Sequence, residues 1–421
     1  MAVSMKRKRL VVQKYGGSSV ADTQRIQRVA ERVVRYKRHG DNVVVVVSAL
    51  GDTTDELIRL AYEITDLPPE RELDMLMATG EQVSVALLAM AIHQQGYEAI
   101  SFTGAQVGIV TDGVHTKARI VDINAKRIVE ELRRGKVVIV AGFQGVNLQQ
   151  DITTLGRGGS DLTAVALAKT LRADVCEIYT DVDGIYTADP RVVPNARKLP
   201  SVSYEEMLEM ASLGSQVMQA RSIEVAKKFG IPIHVRSSFT HTEGTMIGKE
   251  VKAMEAMQVS GVSVNKQEAK VTILNVPDRP GVAAQIFNRI GLEEINVDMI
   301  IQNVSHTGRT DLSFTVVKDD LKRTLQVVEQ IVKEVGAGGV MHDEDIAKVS
   351  VVGVGMRSHS GVAARMFQAL AKENINIEMI STSEIKISCV IRRAQADRAA
   401  RAIHDAFRLG VKRARTTTVT A

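Results

Sequence analysis

The chain has no tryptophan, and aromatic residues make up only 4% of its 421 positions. Rings on which bases could stack are scarce. The formal charge of +5 is the difference between 54 basic and 49 acidic side chains scattered along the whole length. Without a basic stripe, nucleic acid is a poor candidate partner. Cysteine is almost missing too: Cys176 and Cys389 lie far apart, each inside an apolar, strand-like run. That is where reduced, buried thiols sit, not a disulfide framework or a zinc site. No run approaches the roughly 18 uninterrupted apolar residues of a membrane span, so no membrane partner is expected. The basic start "MAVSMKRKRL" lacks the apolar segment and small-residue cleavage site of a secretory signal. A cytoplasmic chain is expected. What is present is a globular balance of 45% apolar and 24% charged residues. The length is too great for one ordinary core and implies two or three domains.

From residue 10 to about residue 250, short Val/Ile-rich runs alternate with amphipathic runs, the pattern of a mostly parallel sheet with helices on both faces. Strands are expected at 10–14, 42–48, 99–102, 137–143, 175–180 and 233–236. The continuous β-branched run "VVVVVSA" implies burial on both faces. Helices are expected over 23–39, 52–64, 71–95, 124–134, 161–171, 204–213 and 219–229. Beyond about residue 250, "AKVTILNVPDRPGVAAQIFNRIGLEEINVDMI" from Ala269 recurs as "AKVSVVGVGMRSHSGVAARMFQALAKENINIEMI" from Ala347, a period of about 80 residues. Each copy reads strand, turn, helix opening at Gly281 or Gly361, strand beginning near Ile295 or Ile375, then a further strand and a helix, the order of a ferredoxin-like βαββαβ unit.

Three turns at strand ends suit an anion. In "LVVQKYGGSSVAD", Lys14 ends a strand, and Gly16, Gly17, Ser18 and Ser19 lead into a helix. A glycine pair lets backbone approach a ligand, and a helix N-terminus offers free N–H groups. The Walker spacing is absent, and an ordinary serine-capped turn is an equal reading of this stretch alone. "TLGRGGSDLTAVALAKT" repeats the arrangement around Arg157, with Asp161 either a functional charge or a simple helix cap. "SALGDTTDEL" places Ser48 at a strand end and Asp52, Thr53 and Thr54 at a helix start. All three fall on one sheet edge, where open α/β folds bind their ligands. "YTDVDGIYTADPR" carries Asp181, Asp183 and Asp189 but fails as a calcium loop, because its glycine and closing glutamate are misplaced. Glu81 in "MATGEQVSVALL" is either a surface residue or a partner for a ligand amine.

Together "KYGGSSV", "SALGDTTDEL", "TGEQVSVALL", "GFQG", "TLGRGGSD", "YTDVDGIYTADPR" and the twin repeats resemble bacterial aspartate kinases of the monofunctional class, from about Leu10 to about Leu409. The resemblance implies a three-layer α/β/α amino-acid-kinase domain over 1–250, with a mostly parallel sheet, and two ferredoxin-like ACT domains at 265–340 and 345–415. It implies transfer of the γ-phosphoryl group of ATP to the side-chain carboxylate of L-aspartate, the step that commits aspartate to lysine, threonine, methionine and diaminopimelate. Lys14, Arg157 and Asp161 would be catalytic. Lys14, Tyr15, Gly16, Gly17, Ser18, Thr180, Asp181, Tyr186, Asp189, Arg191 and Gln216 would hold ATP. Ser48, Thr54, Glu81, Arg157, Gly158, Gly159, Ser160 and Asp161 would hold aspartate. Mg2+ would bind mainly through phosphate oxygens, so no protein metal ligand is nominated. Related enzymes often carry lysine at Gln216, which puts that nucleotide contact in question.

The ACT repeats resemble amino-acid sensors for lysine, threonine or both. Effector-binding residues would be Asp278, Arg279, Pro280, Gly281, Val282 and Ala283, then Asn296, Val297, Asp298 and Gln302. The second copy has no aspartate equivalent to Asp278 and would contribute Val362, Ala363, Asn376, Ile377, Ser383 and Glu384 as an opposing wall. The ACT domains would mediate a homo-oligomer, or a two-chain assembly with a separately translated ACT fragment started at Met254 or Met257. The competing assignments are a related kinase acting on glutamate, acetylglutamate or UMP, and a non-catalytic amino-acid sensor.

Overall fold

The computed structural model describes residues 8–212, 217–249, 259–303 and 308–411. Its contacts group into two units. The first comprises residues up to Ile185, Lys198–Ser212 and the chain from 217 to 249; the second comprises Tyr186–Arg197 and the chain from 259 onward.

The first unit runs β1 (Leu10–Tyr15), α1 (Thr23–Arg38), β2 (Asn42–Val47), α2 (Thr53–Ile64), α3 (Glu70–Met77), α4 (Thr79–Gln94), β3 (Ala99–Phe102), β4 (Ile109–Thr111), β5 (Ile120–Ile123), α5 (Lys126–Arg133), β6 (Val137–Ala141), β7 (Gln144–Val146), β8 (Ile152–Thr154), α6 (Gly159–Leu171), β9 (Val175–Thr180), β10 (Ser201–Ser203), α7 (Tyr204–Ser212), α8 (Ala220–Phe229), β11 (Ile233–Ser237) and β12 (Thr245–Gly248). An eight-stranded sheet of order β10-β12-β11-β9-β1-β2-β6-β3 is parallel at every pairing except β11 with β12. The valines of β2 are fully buried because helices cover both faces. Val33, Leu88 and Ile139 belong to the core under α1 and α4, and α6 is buried almost all round.

The helix expected over 71–95 is broken at Ala78, whose carbonyl accepts from Gln144 Nε2 at 2.9 Å instead of continuing the helical ladder. Glu70–Gln94 is long and apolar enough to cross a membrane, yet α4 packs on α1 and carries the buried Glu81. A small second sheet of order β5-β4-β7-β8 went unread in the sequence.

The second unit continues with β13 (Gly261–Asn265), β14 (Glu268–Pro277), α9 (Val282–Leu292), β15 (Ile300–Gln302), β16 (Arg309–Val317), α10 (Leu321–Val335), β17 (Gly339–Asp343), β18 (Ile346–Val352), α11 (Val362–Lys372), β19 (Met379–Thr382), β20 (Lys386–Arg392) and α12 (Ala396–Ala406). The first repeat is a complete βαββαβ module with sheet order β15-β16-β14-β17. The second is not. Its sheet order is β13-β18-β20-β19, so its fourth strand comes from upstream of the first repeat. Residues 186–197, expected within the kinase domain, also join this module: Ala188 and Val193 enter its core, and Thr187 Oγ1 lies 2.9 Å from the buried His404 Nε2.

Candidate active site and effector cavity

β1 delivers Lys14 to the C-terminal edge of the sheet, and the chain turns through Gly16–Ser19 before α1. At Gly17 a side-chain carbon would lie 2.8 Å from the Gly51 carbonyl oxygen and 3.1 Å from that of Ala49. The glycine thus lets the turn after β1 lie against the turn after β2, and Gly51 N–H donates to the Gly17 carbonyl at 3.1 Å. At Gly16 a side-chain carbon would stand 3.4 Å from Lys14 Nζ, so this glycine keeps the ammonium approachable.

Lys14 Nζ is 2.7 Å from Asp161 Oδ1, and both side chains are largely buried. Asp161 is therefore no simple cap: α6 is capped by Gly158 without a side-chain bond, and Asp161 Oδ2 accepts the Gln219 backbone N–H at 3.3 Å. Ser48 Oγ donates to Ser160 Oγ at 3.0 Å, tying the second turn to the third. Glu81 is buried at the start of α4, and its Oε1 accepts the Ala49 N–H at 3.3 Å. Burial pushes its carboxyl up to about 7 against the lowering effect of two backbone N–H groups. Its Oε2 is buried with no hydrogen-bond partner among the described residues, a group that invites a cationic ligand. Arg157 is exposed, and its guanidinium pairs with Asp55 of α2 at 3.1 Å, beside the half-buried Thr54.

Thr180 ends β9 and donates to Asp181 Oδ1 at 2.9 Å. Tyr186, Asp189 and Arg191 belong to the second unit, where Arg191 Nη2 pairs with Asp189 at 2.8 Å. Gln216 lies outside the described residues.

Two supports escaped the sequence reading. Gln219 Nε2 donates to the Arg157 carbonyl at 2.6 Å, and a side-chain carbon at Gly158 would meet Gln219 Cβ at 2.7 Å. Asp74, fully buried on α3, accepts the Thr116 N–H at 3.0 Å and the Thr154 hydroxyl, and lies 2.7 Å from His115 Nδ1. It anchors the strand that leads into the Arg157 turn. An acid inside the apolar run "ELDMLM" is the only advance signal of Asp74; Gln219 has none.

In the second unit a cavity of about 360 Å³ opens at the start of α9, bringing Asp278, Arg279, Gly281, Val282, Ala283 and Gln302 together. Pro280 completes the turn, and Val276, Pro277 and Leu312, not nominated from sequence, add apolar wall. Asn296, Val297 and Asp298 do not line it. Asn296 is exposed, Val297 packs on the module core, and Asp298 pairs with the buried Lys348 of β18, which also binds Glu268. In the second repeat, Val362 is buried in its own core with Ala363 and Ile377 packed against it, while Asn376, Ser383 and Glu384 are exposed.

Residues 9–237 match the model of the amino acid kinase family, and 270–336 and 349–407 each match an ACT domain. The chain is similar to the aspartate kinase of Stutzerimonas stutzeri, 55% identical over 401 residues that cover 95% of this chain and 97% of that one. It is also similar to the aspartokinase of Mycolicibacterium smegmatis, 52% identical over 406 residues covering 95% and 96%. Among solved structures, aspartokinase III of E. coli in complex with lysine and aspartate superposes with a TM-score of 0.73 at 26% identity, covering 94% of this chain and 99% of that one. The aspartate kinase of Synechocystis matches at a TM-score of 0.54 and 44% identity, covering 97% and 71%.

Proposed function

The chain belongs to the aspartate kinase family, and on that premise we propose how its residues divide the work. The enzyme transfers the γ-phosphoryl group of ATP to the side-chain carboxylate of L-aspartate, giving 4-phospho-L-aspartate and ADP, the first step toward lysine, threonine and methionine. The nucleophile belongs to the substrate. Catalysis then rests on positioning and on neutralising charge at the migrating group.

The observation that carries the assignment of roles is the Lys14–Asp161 pair, held at 2.7 Å where the three anion-suited turns meet. Lys14 neutralises charge on the transferring phosphoryl group, with Tyr15, Gly16, Gly17 and Ser18 lending backbone and hydroxyl donors. Asp161 orients the ammonium until nucleotide arrives. Glu81 takes the ammonium of aspartate on its free buried oxygen, Arg157 exchanges Asp55 for a substrate carboxylate, and Ser48, Thr54 and Gly158–Ser160 complete the pocket. Thr180 and Asp181 hold nucleotide. Among the described residues no three carboxylate, histidine or cysteine groups converge on a metal position. A Mg2+ ion, carried on the phosphate oxygens of ATP, would supply further charge neutralisation.

The open cavity beside Asp278 is the effector site: free N–H groups of the α9 start take the amino-acid carboxylate, and Asp278 takes its ammonium. Lysine, threonine or both inhibit through it, a reading supported by the lysine complex of the E. coli enzyme. The exposed second-repeat residues Asn376, Ser383 and Glu384 contribute the opposing wall from a partner chain, in a cytoplasmic homo-oligomer or a two-chain assembly. A coupled ADP-release assay over aspartate, glutamate, acetylglutamate and UMP tests the acceptor. Turnover with aspartate alone is expected; turnover with another acceptor and none with aspartate would reject the assignment. Titration with lysine and threonine, singly and together, at subsaturating aspartate tests the sensor.

A further inference from the structure

A cavity of about 500 Å³, larger than the effector cavity, opens on the first unit between α1 and the β9–β11 face of the sheet. Its walls carry Arg9 before β1, Arg32 and Arg35 of α1, Arg236 of β11 and His241, with Tyr36 and Tyr179 between them. None of the residues assigned above to ATP or aspartate lines it. We propose that this cavity is a second anion site, taking a small polyanion with two or more phosphate charges.

The side chains divide into a fixed wall and an open one. Arg32 spends its guanidinium on the carbonyls of Ser237, Ser238 and Thr240 at 3.2, 3.1 and 2.9 Å. It stacks over Tyr179 at 4.8 Å from the ring centroid, and Arg236 approaches the same ring at 5.9 Å. Two guanidinium groups thus share one ring. Arg236 Nη1 reaches Tyr36 Oη at 3.2 Å, while its Nε is buried without a hydrogen-bond partner among the described residues. Arg9 and Arg35 are exposed, and neither has an ion pair among the described residues.

Nearby acid balances only part of this charge. Glu177 is already occupied: it lies 3.6 Å from Arg236 Nη1, and it accepts from Gln13 Nε2 and Tyr36 Oη at 2.9 Å and from Tyr179 Oη at 3.0 Å, so it offsets Arg236 but leaves Arg9, Arg32 and Arg35 uncompensated. At the rim only Asp41 is acidic. The surplus is felt by His241, whose imidazole is held below its usual range first by Arg32 and then by desolvation, Arg35 and Arg236. The negative C-terminal end of α1 explains why Arg35 stands in its last turn. It does not explain Arg9, Arg32 or Arg236, which come from three other positions in the fold to the same space. Guanidinium forks match phosphate oxygens in pairs, and crowded cations repel one another until an anion arrives.

The test is titration calorimetry of the full chain with sodium tripolyphosphate at low salt without divalent cations. The wild type is expected to take two equivalents per chain, one at the ATP cradle and one at the cavity. The double variant Arg9→Glu/Arg35→Glu, altered only at exposed side chains, is expected to lose one equivalent or bind it at least about tenfold more weakly, with kinase turnover at saturating substrates unchanged. A Lys14→Met chain should keep the cavity equivalent. Identical isotherms for wild type and double variant overturn the proposal, as does a single wild-type equivalent that disappears in Lys14→Met. Arg236→Gln supplies an independent arm, with weakened binding expected and unchanged binding counting against it.

Discussion

Three helices open on a glycine in the left-handed region: Gly158 before α6 at φ 73°, Gly281 before α9 at 93° and Gly361 before α11 at 89°. The backbone device is the same, and its surroundings differ. Ahead of α6 the turn is packed shut against Gln219, and the first-turn carboxylate is paired with Lys14. Ahead of α9 no atom lies within 4 Å of where a side-chain carbon would stand on Gly281, and the turn borders a cavity. Gly361 is equally open, but its repeat has no counterpart of Asp278, and its module holds residues 186–197 in its core. A helix start is thus only a frame of free N–H groups. Rigid packing with a paired charge suits catalysis, which needs fixed geometry, whereas open space with an unfilled wall suits an exchanging effector.

The largest effect that separates the two frames is expected at the charge pair. Lys14→Met removes the cation from the transferring group and should lower kcat by about 10²–10³-fold, with a smaller change in KM for aspartate. Steady-state kinetics with less than a fivefold fall would deny Lys14 its role. Next comes the same substitution at two equivalent caps. Gly158→Ala drives a carbon into Gln219 and should cost about tenfold or more in kcat/KM, because it shifts Arg157 and Asp161 together. Gly281→Ala meets no atom and pays only the left-handed strain of about 1 kcal/mol, so catalysis should stay unchanged. Equal losses of activity at both caps would erase the distinction.

Much of this arrangement was legible from the chain. The Val/Ile runs mark six strands of the large sheet within a residue or two, because burial on both faces leaves no polar positions to blur them, whereas the short β10 and β12 carry no such run. Lys14, Ser48 and Asp161 stand out because each ends a strand or starts a helix beside glycine. Their pairing is not legible, since Lys14 and Asp161 meet only through the β1–β9 crossover. The same non-locality hides β13: the repeat suggests two self-contained modules, whereas the second borrows its fourth strand from before the first. Thr187 and His404 likewise meet across a separation no local pattern records. Gln219 escaped because a lone amide carries no signal until its backbone partners are in place.

Comparison of the two open caps predicts an intermediate effect. Asp278→Ala should raise the half-inhibitory concentration of lysine or threonine about tenfold, the scale of one lost charge-assisted contact. Ser358→Ala, at the matching position of the second repeat, should change it less than twofold. Equal responses in inhibition titrations would make the repeats functionally equivalent and remove the reason for calling one of them the sensor.

The smallest effect expected is a several-fold pH dependence at the packed end of the first unit. Burial holds the Glu81 carboxyl at about 7, so it is largely protonated at about pH 6 and ionised at about pH 8. Only the ionised form pairs with the substrate ammonium. KM for aspartate should therefore fall several-fold across that interval, at most by the roughly tenfold rise in the ionised fraction, and binding should release a proton near pH 7 because the arriving cation favours the carboxylate. Stability moves the opposite way. The folded state keeps a proton that the unfolded chain has already lost above its ordinary carboxyl range, so this group's contribution declines as pH rises toward 7 and then levels. Glu81→Gln should raise KM and flatten its pH profile while leaving lysine inhibition intact. A profile unchanged by Glu81→Gln would assign the ammonium to another carboxylate, with Asp161 the nearest candidate, and would make the Lys14 pair itself part of the aspartate pocket.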